Sequence, residues 1–208
     1  MRATEISIPG PSGPLEAIVE DPGGEPRAVA VVCHPHPLYQ GTMRNKVVHT
    51  VARAAVRLGA PALRFNFRGV GASSGAWDEG GGETEDALAA IEWARGQWPG
   101  SALWLAGFSF GAFVALRAAA VAAPASLVTV APPVHRFPLG EAPDPGCPWL
   151  VVQGEADELT DAAEVAEWAR RRPAAPQLAL LPQTSHFFHG RLGELRALVE
   201  RFWTELEA

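Results

Sequence analysis

The sequence has few cysteines, almost no lysine and no long apolar run. Two cysteines in 208 residues, one of them inside an apolar segment, are typical of reduced thiols and exclude a disulfide framework. A net charge of −6 argues against a nucleic-acid partner, and the densest basic run, Arg170-Arg171-Arg172, fits the C-terminus of a helix. No segment reaches the ~18 apolar residues of a membrane span, and the first residues form no signal peptide. We therefore expect a cytoplasmic protein with neither a nucleic-acid nor a membrane partner.

Apolar and amphipathic segments alternate along the chain. Two alternating segments around a turn rich in proline and glycine predict an antiparallel hairpin at the start. Strand-like and helix-like segments then alternate, which predicts a mostly parallel sheet with helices on both faces. The predicted strands are 4–8, 15–20, 28–33, 62–67, the segment leading into residue 107, 126–131, 149–153 and 177–181. The predicted helices are 43–58, 83–98, the segment after residue 111, 162–171 and 192–206. The whole chain, 1–208, is expected to form one α/β domain with about eight strands.

An apolar run that ends in Gly107-Phe108-Ser109-Phe110-Gly111 carries the main functional signal. The residues before Gly107 predict a strand and those after Gly111 predict a helix, so Ser109 lies on a sharp turn between them. Tight packing at such a turn leaves no room for side chains two positions before and after the serine. The turn also places the Ser109 hydroxyl at a helix N-terminus, where negative charge is favoured. Ser109 is therefore the candidate nucleophile.

Two further loops follow predicted strands and open on the same sheet edge as Ser109. A serine hydroxyl needs a base within hydrogen-bond reach, and the base needs a carboxylate that fixes its tautomer. The acids in these loops are Glu155, Asp157 and Glu158, and the histidines are His186 and His189. Phe187 and Phe188 would anchor the loop beside His186, which favours His186 as the base. His189 fits a position at the start of the last helix.

Other polar clusters favour neither a metal nor a cofactor. The pair His34-x-His36 is spaced like half a metal site, but no third ligand accompanies it. The glycines in 69–75 lack the spacing of a dinucleotide-binding loop. The acidic stretch 78–86 predicts a solvated loop and a helix start, with Thr84 or Asp86 near the helix cap.

Together the motifs resemble those of α/β-hydrolases, and more narrowly a group of small bacterial members without a lid. The resemblance spans nearly the whole chain and rests on His34-Pro35-His36-Pro37-Leu38-Tyr39 with Gly41-Thr42, on Phe67-Arg68-Gly69-Val70-Gly71-Ala72-Ser73 and on the serine motif. Many relatives have two glycines where this chain has Gln40-Gly41. The resemblance implies an α/β-hydrolase fold without a cap domain, carboxylesterase-like activity and a triad of Ser109, Asp157 and His186. Asp157 is selected because the family's acid usually lies three residues past the glycine that ends its strand.

The resemblance also suggests which groups stabilise the oxyanion of the tetrahedral intermediate. The first donor is the backbone N–H of Phe110, directly after the nucleophile. The second comes from the loop after strand 28–33, where the two prolines have no N–H. His36 is the first choice for this donor and Leu38 is the second.

The segment 132–148 lies where many lipases and esterases of this fold carry a helical cap. It is short and rich in proline, which predicts a stiff loop instead of a cap. The site is therefore expected to be an open, shallow pocket that suits short or medium acyl chains. The candidate residues around it are Tyr39, His135, Phe137 and Phe187.

These features predict a serine hydrolase that cleaves small to medium acyl esters through an acyl-enzyme, without metal or cofactor. Thioesterases and peptidases use the same triad, so the sequence does not decide whether the bond that is cleaved is an ester, a thioester or an amide. A hydrolase-fold binding module without turnover is the alternative from another class, and a dienelactone-type hydrolase would normally carry cysteine at the nucleophile position. The small-molecule acyl substrate is the expected partner of a monomer or homodimer. The helix-end tryptophans, which would support either a dimer contact or packing within the monomer, are Trp93, Trp98, Trp168 and Trp203.

Overall fold

The computed structural model describes residues 2–206, which form an eight-stranded sheet with helices on both faces. The strands are β1 (Arg2–Ile8), β2 (Leu15–Asp21), β3 (Ala28–Cys33), β4 (Ala62–Phe65), β5 (Ala102–Phe108), β6 (Ser126–Val130), β7 (Trp149–Gly154) and β8 (Gln177–Leu181). The helices are α1 (Lys46–Arg57), α2 (Gly81–Gln97), α3 (Phe110–Ala122), α4 (Ala162–Arg170) and α5 (Leu192–Leu206). The predicted number and sequence of elements are confirmed.

The strand order places the loops that carry the candidate residues side by side. The strands run β1-β2-β4-β3-β5-β6-β7-β8, with antiparallel pairing of β1 with β2 and of β2 with β4. All other neighbours pair in parallel. Because parallel strands end at one edge, the loops after β3, β5, β7 and β8 meet there. This confirms the predicted hairpin and the predicted mostly parallel sheet.

Two apolar cores lie on opposite faces of the sheet. One core joins the sheet to α1 and α5, and the other joins it to α2, α3 and α4. Every residue of β3 and β6 is buried, as expected for strands covered on both faces. Within residues 2–206, none of the helices is both long enough and apolar enough to cross a membrane.

Trp203 belongs to one of these cores and offers no surface for a dimer contact. Its ring is fully buried and stacks on Trp104 with the centroids 4.7 Å apart. The indole N–H donates a hydrogen bond to Ser126 Oγ at 3.1 Å. Of the two expectations for this tryptophan, packing within the monomer is the one the contacts bear out.

Two elements, β4 and α1, are shorter than predicted by two residues or more, because polar groups intervene at their ends. Strand β4 ends at Phe65, and the N–H of Phe67 then donates to His34 Nε2 at 3.0 Å. Helix α1 starts at Lys46, because the side chain of Asn45 accepts the N–H of Val47 at 2.8 Å and caps the helix.

The prediction of a solvated acidic loop at 78–86 is wrong for two of its acids. Glu83 and Asp86 are fully buried. Glu83 accepts hydrogen bonds from the N–H groups of Asp78 and Gly80 and thereby closes the start of α2, whereas neither Thr84 nor Asp86 caps that helix through its side chain. Asp86 pairs with Arg68, which lies in the loop after β4. Burial is tolerated here because each carboxylate has hydrogen-bond donors.

Candidate active site

Ser109 lies on a strained turn between β5 and α3. Its backbone has φ 53° and ψ −121°, in the left-handed half of conformational space that a non-glycine residue rarely adopts. A Cβ on Gly107 would collide with the Gly111 carbonyl, and a Cβ on Gly111 would collide with the carbonyls of Cys33 and His34. The glycines on both sides of Ser109 are therefore required by close backbone contact, as the motif predicts.

The three predicted triad side chains form one chain of hydrogen bonds. Ser109 Oγ lies 3.1 Å from His186 Nε2, and His186 Nδ1 lies 2.8 Å from Asp157 Oδ2. The side chain of His186 is 3% exposed and that of Asp157 is 0% exposed. These distances place the imidazole between a hydroxyl and a carboxylate, an arrangement in which it can accept the hydroxyl proton.

Four donors surround the Asp157 carboxylate. Oδ1 accepts the N–H groups of Leu159 and Thr160, each at 2.8 Å, and Oδ2 accepts Gln153 Nε2 at 2.9 Å as well as His186 Nδ1. Burial of the carboxyl group disfavours its ionisation. This effect is outweighed by the hydrogen bond and charge of His186 and by the two backbone N–H groups, so the pKa of Asp157 is lowered. Asp157 is therefore held as a carboxylate.

The other acids of this loop have different positions. Glu155 is exposed, and Glu158 accepts the backbone N–H of His186 at 3.1 Å through Oε2. Neither side chain contacts the imidazole of His186. Of the three acids that the sequence left open, only Asp157 is hydrogen-bonded to a histidine ring.

The loop that carries His186 is anchored on both sides. Phe188, with φ 54°, is fully buried in the core beside α5, and a Cβ on Gly154 would collide with the Thr184 carbonyl. His189 is exposed and lies just before α5, away from Ser109. The predicted anchoring holds for Phe188, whereas Phe187 is 40% exposed and borders the site.

Two backbone N–H groups at the site are free to bind an oxyanion. Within residues 2–206, neither Phe110 N nor His36 N donates to an acceptor, and both residues line the same cavity as Ser109. The N–H of Leu38, the second choice from sequence, already donates to His36 Nδ1 at 3.2 Å. Phe110 N is also the first amide of α3, where the helix dipole favours negative charge.

Close backbone contact shapes the loop that carries His36. Gly41 donates its N–H to the His36 carbonyl at 3.0 Å, and a Cβ on Gly41 would collide with the Pro35 carbonyl. Gln40 has φ 61°, the left-handed region where glycine is favoured. This backbone conformation explains why glycine suits the position, where the resemblance places it in many relatives, and Gln40 adopts the same conformation at some cost in strain.

His34 links two loops and is unavailable as a metal ligand. Its Nδ1 donates to the Pro35 carbonyl at 2.6 Å and its Nε2 accepts the N–H of Phe67. Burial lowers the pKa of His34 to about 3, although the bond to Pro35 opposes this, so the ring is neutral. In the part of the chain that the structure describes, no three His, Cys, Asp or Glu side chains cluster as metal ligands would.

Ser109 opens into a cavity of about 520 Å³. Its walls include Tyr39, Phe137 and Phe187, three of the four residues expected around the pocket. The expectation for His135 is wrong, because its Nδ1 lies 2.6 Å from Glu164 Oε2 and the ring faces α4 instead of the cavity. As predicted, 132–148 is a loop and not a helical cap.

Sequence reasoning missed two polar residues of the site. Gln153, at the end of β7, donates to Asp157, and Arg136 lines the cavity beside His36. Gln153 is a buried polar residue in an otherwise apolar strand, which is a signal that could have identified it. Arg136 carries no such signal, because its position depends on the path of the loop.

Comparisons with known proteins agree with this fold. A family model described as the alpha/beta hydrolase fold matches residues 40–205. An uncharacterised protein of Rickettsia prowazekii is 35% identical over 175 residues, which are 80% of this chain and 72% of that protein. A Xanthomonas campestris structure, described as a serine hydrolase without lid, has 43% identity and a TM-score of 0.92 over 99% of this chain and 95% of its own.

A serine hydrolase homologue of Coxiella burnetii is similar to the same degree, with 42% identity, a TM-score of 0.92 and 97% of each chain covered. The family match covers most of the sequence and includes the Ser109 turn, the Asp157 loop and the His186 loop. The chain belongs to the α/β-hydrolase family.

Proposed function

We propose that the protein is a serine esterase that cleaves small to medium acyl carboxylic esters through an acyl-enzyme intermediate. The observation that carries the proposal is the hydrogen-bonded chain from Ser109 through His186 to Asp157, which opens into the cavity. Its relatives described as serine hydrolases support the same reaction class.

The first half of the reaction forms the acyl-enzyme. His186 Nε2 takes the proton from Ser109 Oγ as the oxygen attacks the ester carbonyl carbon. Asp157 keeps the hydrogen of the imidazole on Nδ1 and stabilises the imidazolium that forms. The imidazolium then gives its proton to the leaving alcohol, and the acyl group stays on Ser109.

The oxyanion of each tetrahedral intermediate is stabilised by backbone groups. We assign this role to the N–H groups of Phe110 and His36, which have no acceptor within residues 2–206. Loss of one such donor costs roughly 10²–10³ in rate. The second half repeats the first, with water as the attacking group and the carboxylic acid as the product.

The walls of the cavity favour acyl groups of modest length. Aromatic rings of Tyr39, Phe137 and Phe187 supply apolar contact, and Tyr39 is 76% exposed. No helical cap covers the cavity, because residues 132–148 form a loop. A long acyl chain would therefore leave much of its length in water, which removes the gain from burying it.

Hydrolysis of p-nitrophenyl esters of graded acyl length tests the proposal. We expect turnover that peaks at short or medium chains and disappears in Ser109→Ala. Ser7→Ala, an exposed serine on the edge strand β1, is the matched control and should keep the activity of the parent protein. Absence of turnover in the parent protein on esters, thioesters and amides alike would reject the esterase and favour a binding module.

A further inference from the structure

Arg136 is a charged side chain on the cavity wall that has no partner among the residues the structure describes. In residues 2–206 its guanidinium makes neither an ion pair nor a hydrogen bond, although it borders the cavity that holds Ser109. Most other arginines are neutralised. Those in ion pairs are Arg44, Arg53, Arg57, Arg64, Arg68, Arg171, Arg191, Arg196 and Arg201.

The backbone holds Arg136 at the cavity on a short, fixed turn. The carbonyl of Pro133 accepts the N–H groups of Arg136 at 3.1 Å and of Phe137 at 3.3 Å. The Phe137 ring stacks on Phe113 with the centroids 5.0 Å apart, which anchors the next residue to α3. Arg136 is therefore presented from a preorganised turn, so binding through it requires little ordering of the backbone.

His36 supplies a second donor on the same wall. Its Nδ1 accepts the N–H of Leu38, so the hydrogen of the neutral ring is on Nε2, which has no partner within residues 2–206. Burial lowers the pKa of His36, and the nearby charge of Arg136 lowers it further. The ring therefore acts as a neutral donor next to a cation.

Nothing in the cavity neutralises this positive charge. Neither aspartate nor glutamate is found among the described residues that line it. The neighbouring carboxylates are engaged elsewhere, since Asp157 binds His186 and Glu164 binds His135. Arg136 is exposed to solvent where it lines this partly apolar cavity, and a guanidinium there without a counter-ion favours a ligand that brings a carboxylate.

We infer that the preferred substrates are esters that also carry a carboxylate, which Arg136 and His36 bind at the cavity wall. The inference rests on the proposed esterase function and narrows its substrate class. The carboxylate could lie on the acyl chain or on the alcohol, and both positions bring the same chemistry to Arg136. The two are distinguished by the substrates of the test.

Matched ester pairs measure this preference. On the acyl side, mono-p-nitrophenyl adipate is compared with p-nitrophenyl hexanoate, and on the alcohol side 4-(butanoyloxy)benzoate is compared with its methyl ester. The readout is the ratio of kcat/KM for the anionic ester to that for the neutral ester. In Arg136→Gln we expect this ratio to fall about tenfold in one pair, since a charge-assisted hydrogen bond is lost. Arg136→Lys should lower this ratio less, because lysine keeps the positive charge.

Two controls separate a local contact from a general charge effect. Arg201→Gln makes the same charge change on the exposed face of α5 and should leave the ratio as in the parent protein. Raising the ionic strength from about 0.01 M to about 1 M shortens the screening length from about 30 Å to about 3 Å and should lower the ratio of the parent protein more than that of Arg136→Gln. Equal ratios in parent and Arg136→Gln for both pairs would overturn the inference while leaving the esterase intact.

A binding measurement tests the inference without turnover. In the Ser109→Ala background, calorimetry should show that monomethyl adipate binds about tenfold more tightly than dimethyl adipate, and that Arg136→Gln removes the difference. Equal binding of the two esters would overturn the inference, whatever the esterase assay shows. If the esterase assay fails but monomethyl adipate still binds more tightly than dimethyl adipate, the proposed reaction is rejected and the carboxylate site is supported.

Discussion

Two histidine–carboxylate pairs of almost equal length lie in different parts of the molecule. His186 Nδ1 and Asp157 Oδ2 are 2.8 Å apart at the sheet edge, and His135 Nδ1 and Glu164 Oε2 are 2.6 Å apart between the 132–148 loop and α4. The side chains of the first pair are 3% and 0% exposed, whereas those of the second are 42% and 57% exposed.

The difference between the pairs lies in what surrounds them. His186 contacts the Ser109 hydroxyl with its second nitrogen, and Asp157 accepts three further hydrogen bonds. The pair of His135 and Glu164 is open to water, which weakens the interaction between the two side chains. Contact distance alone therefore does not identify a catalytic histidine, while burial and a third reacting group do.

Removing the carboxylate charge from each pair should give the largest difference in esterase activity. In Asp157→Asn we expect kcat/KM for the preferred ester to fall by about 10³–10⁴, because the amide favours the wrong tautomer of His186. Glu164→Gln, the matched change in the exposed pair, should stay within about twofold, because water surrounds both side chains and the interaction between them is weak. Steady-state hydrolysis of both variants is the measurement, and similar losses in the two would show that burial does not separate the pairs.

The same contrast between buried and exposed pairs should appear in stability. Arg68 donates to Asp86 at 2.9 Å in the interior, and Arg191 donates to Glu194 at 2.6 Å on the surface. Asp86→Asn should lower the free energy of unfolding by up to about 3–5 kcal/mol, because the buried Arg68 guanidinium then keeps only its longer, 3.3 Å contact with the exposed Glu85. Glu194→Gln should lower it by less than about 1 kcal/mol. Urea denaturation compares them, and a larger loss from the surface pair would refute this ordering.

A smaller effect is expected when pH changes the contribution of Asp157 to the free energy of unfolding. The folded state holds the pKa of Asp157 below its unfolded value of about 3.9, so the carboxylate contributes stability above that pH and loses it as pH falls through the folded pKa. The difference in unfolding free energy between the parent protein and Asp157→Asn should therefore be larger near pH 6 than near pH 3. Chemical denaturation across that range is the test, and a difference that grows on acidification would contradict the sign.

Local pattern was enough to predict the sheet and the position of Ser109. Strands β3 and β8 have the predicted limits, because continuous apolar runs between turns leave few alternatives. A side chain at Gly107 would collide with the backbone of the turn itself, and one at Gly111 would collide with the carbonyls of Cys33 and His34 on the neighbouring strand and loop. The identity of the contacting acid required the resemblance, since Glu155, Asp157 and Glu158 are equivalent by local pattern alone.

Polar residues of the loops were predicted less well, because their surroundings come from distant segments. Asp86 was expected in solvent, yet it is buried, where it accepts hydrogen bonds from the guanidinium of Arg68 in another loop. His135 was expected at the cavity, yet Glu164 on α4 binds it on the other side of its loop. In both cases a polar contact with a side chain from another segment determines the position of the residue.

Covalent labelling shows whether the buried pair of His186 and Asp157 activates Ser109. The protein is reacted with a fluorophosphonate, and the modified residue is located by peptide mass spectrometry. We predict one adduct, on Ser109, whose rate of formation drops sharply in His186→Gln and remains unchanged in His135→Gln. Labelling at another residue, or an equal rate in His186→Gln and the parent protein, would contradict the account.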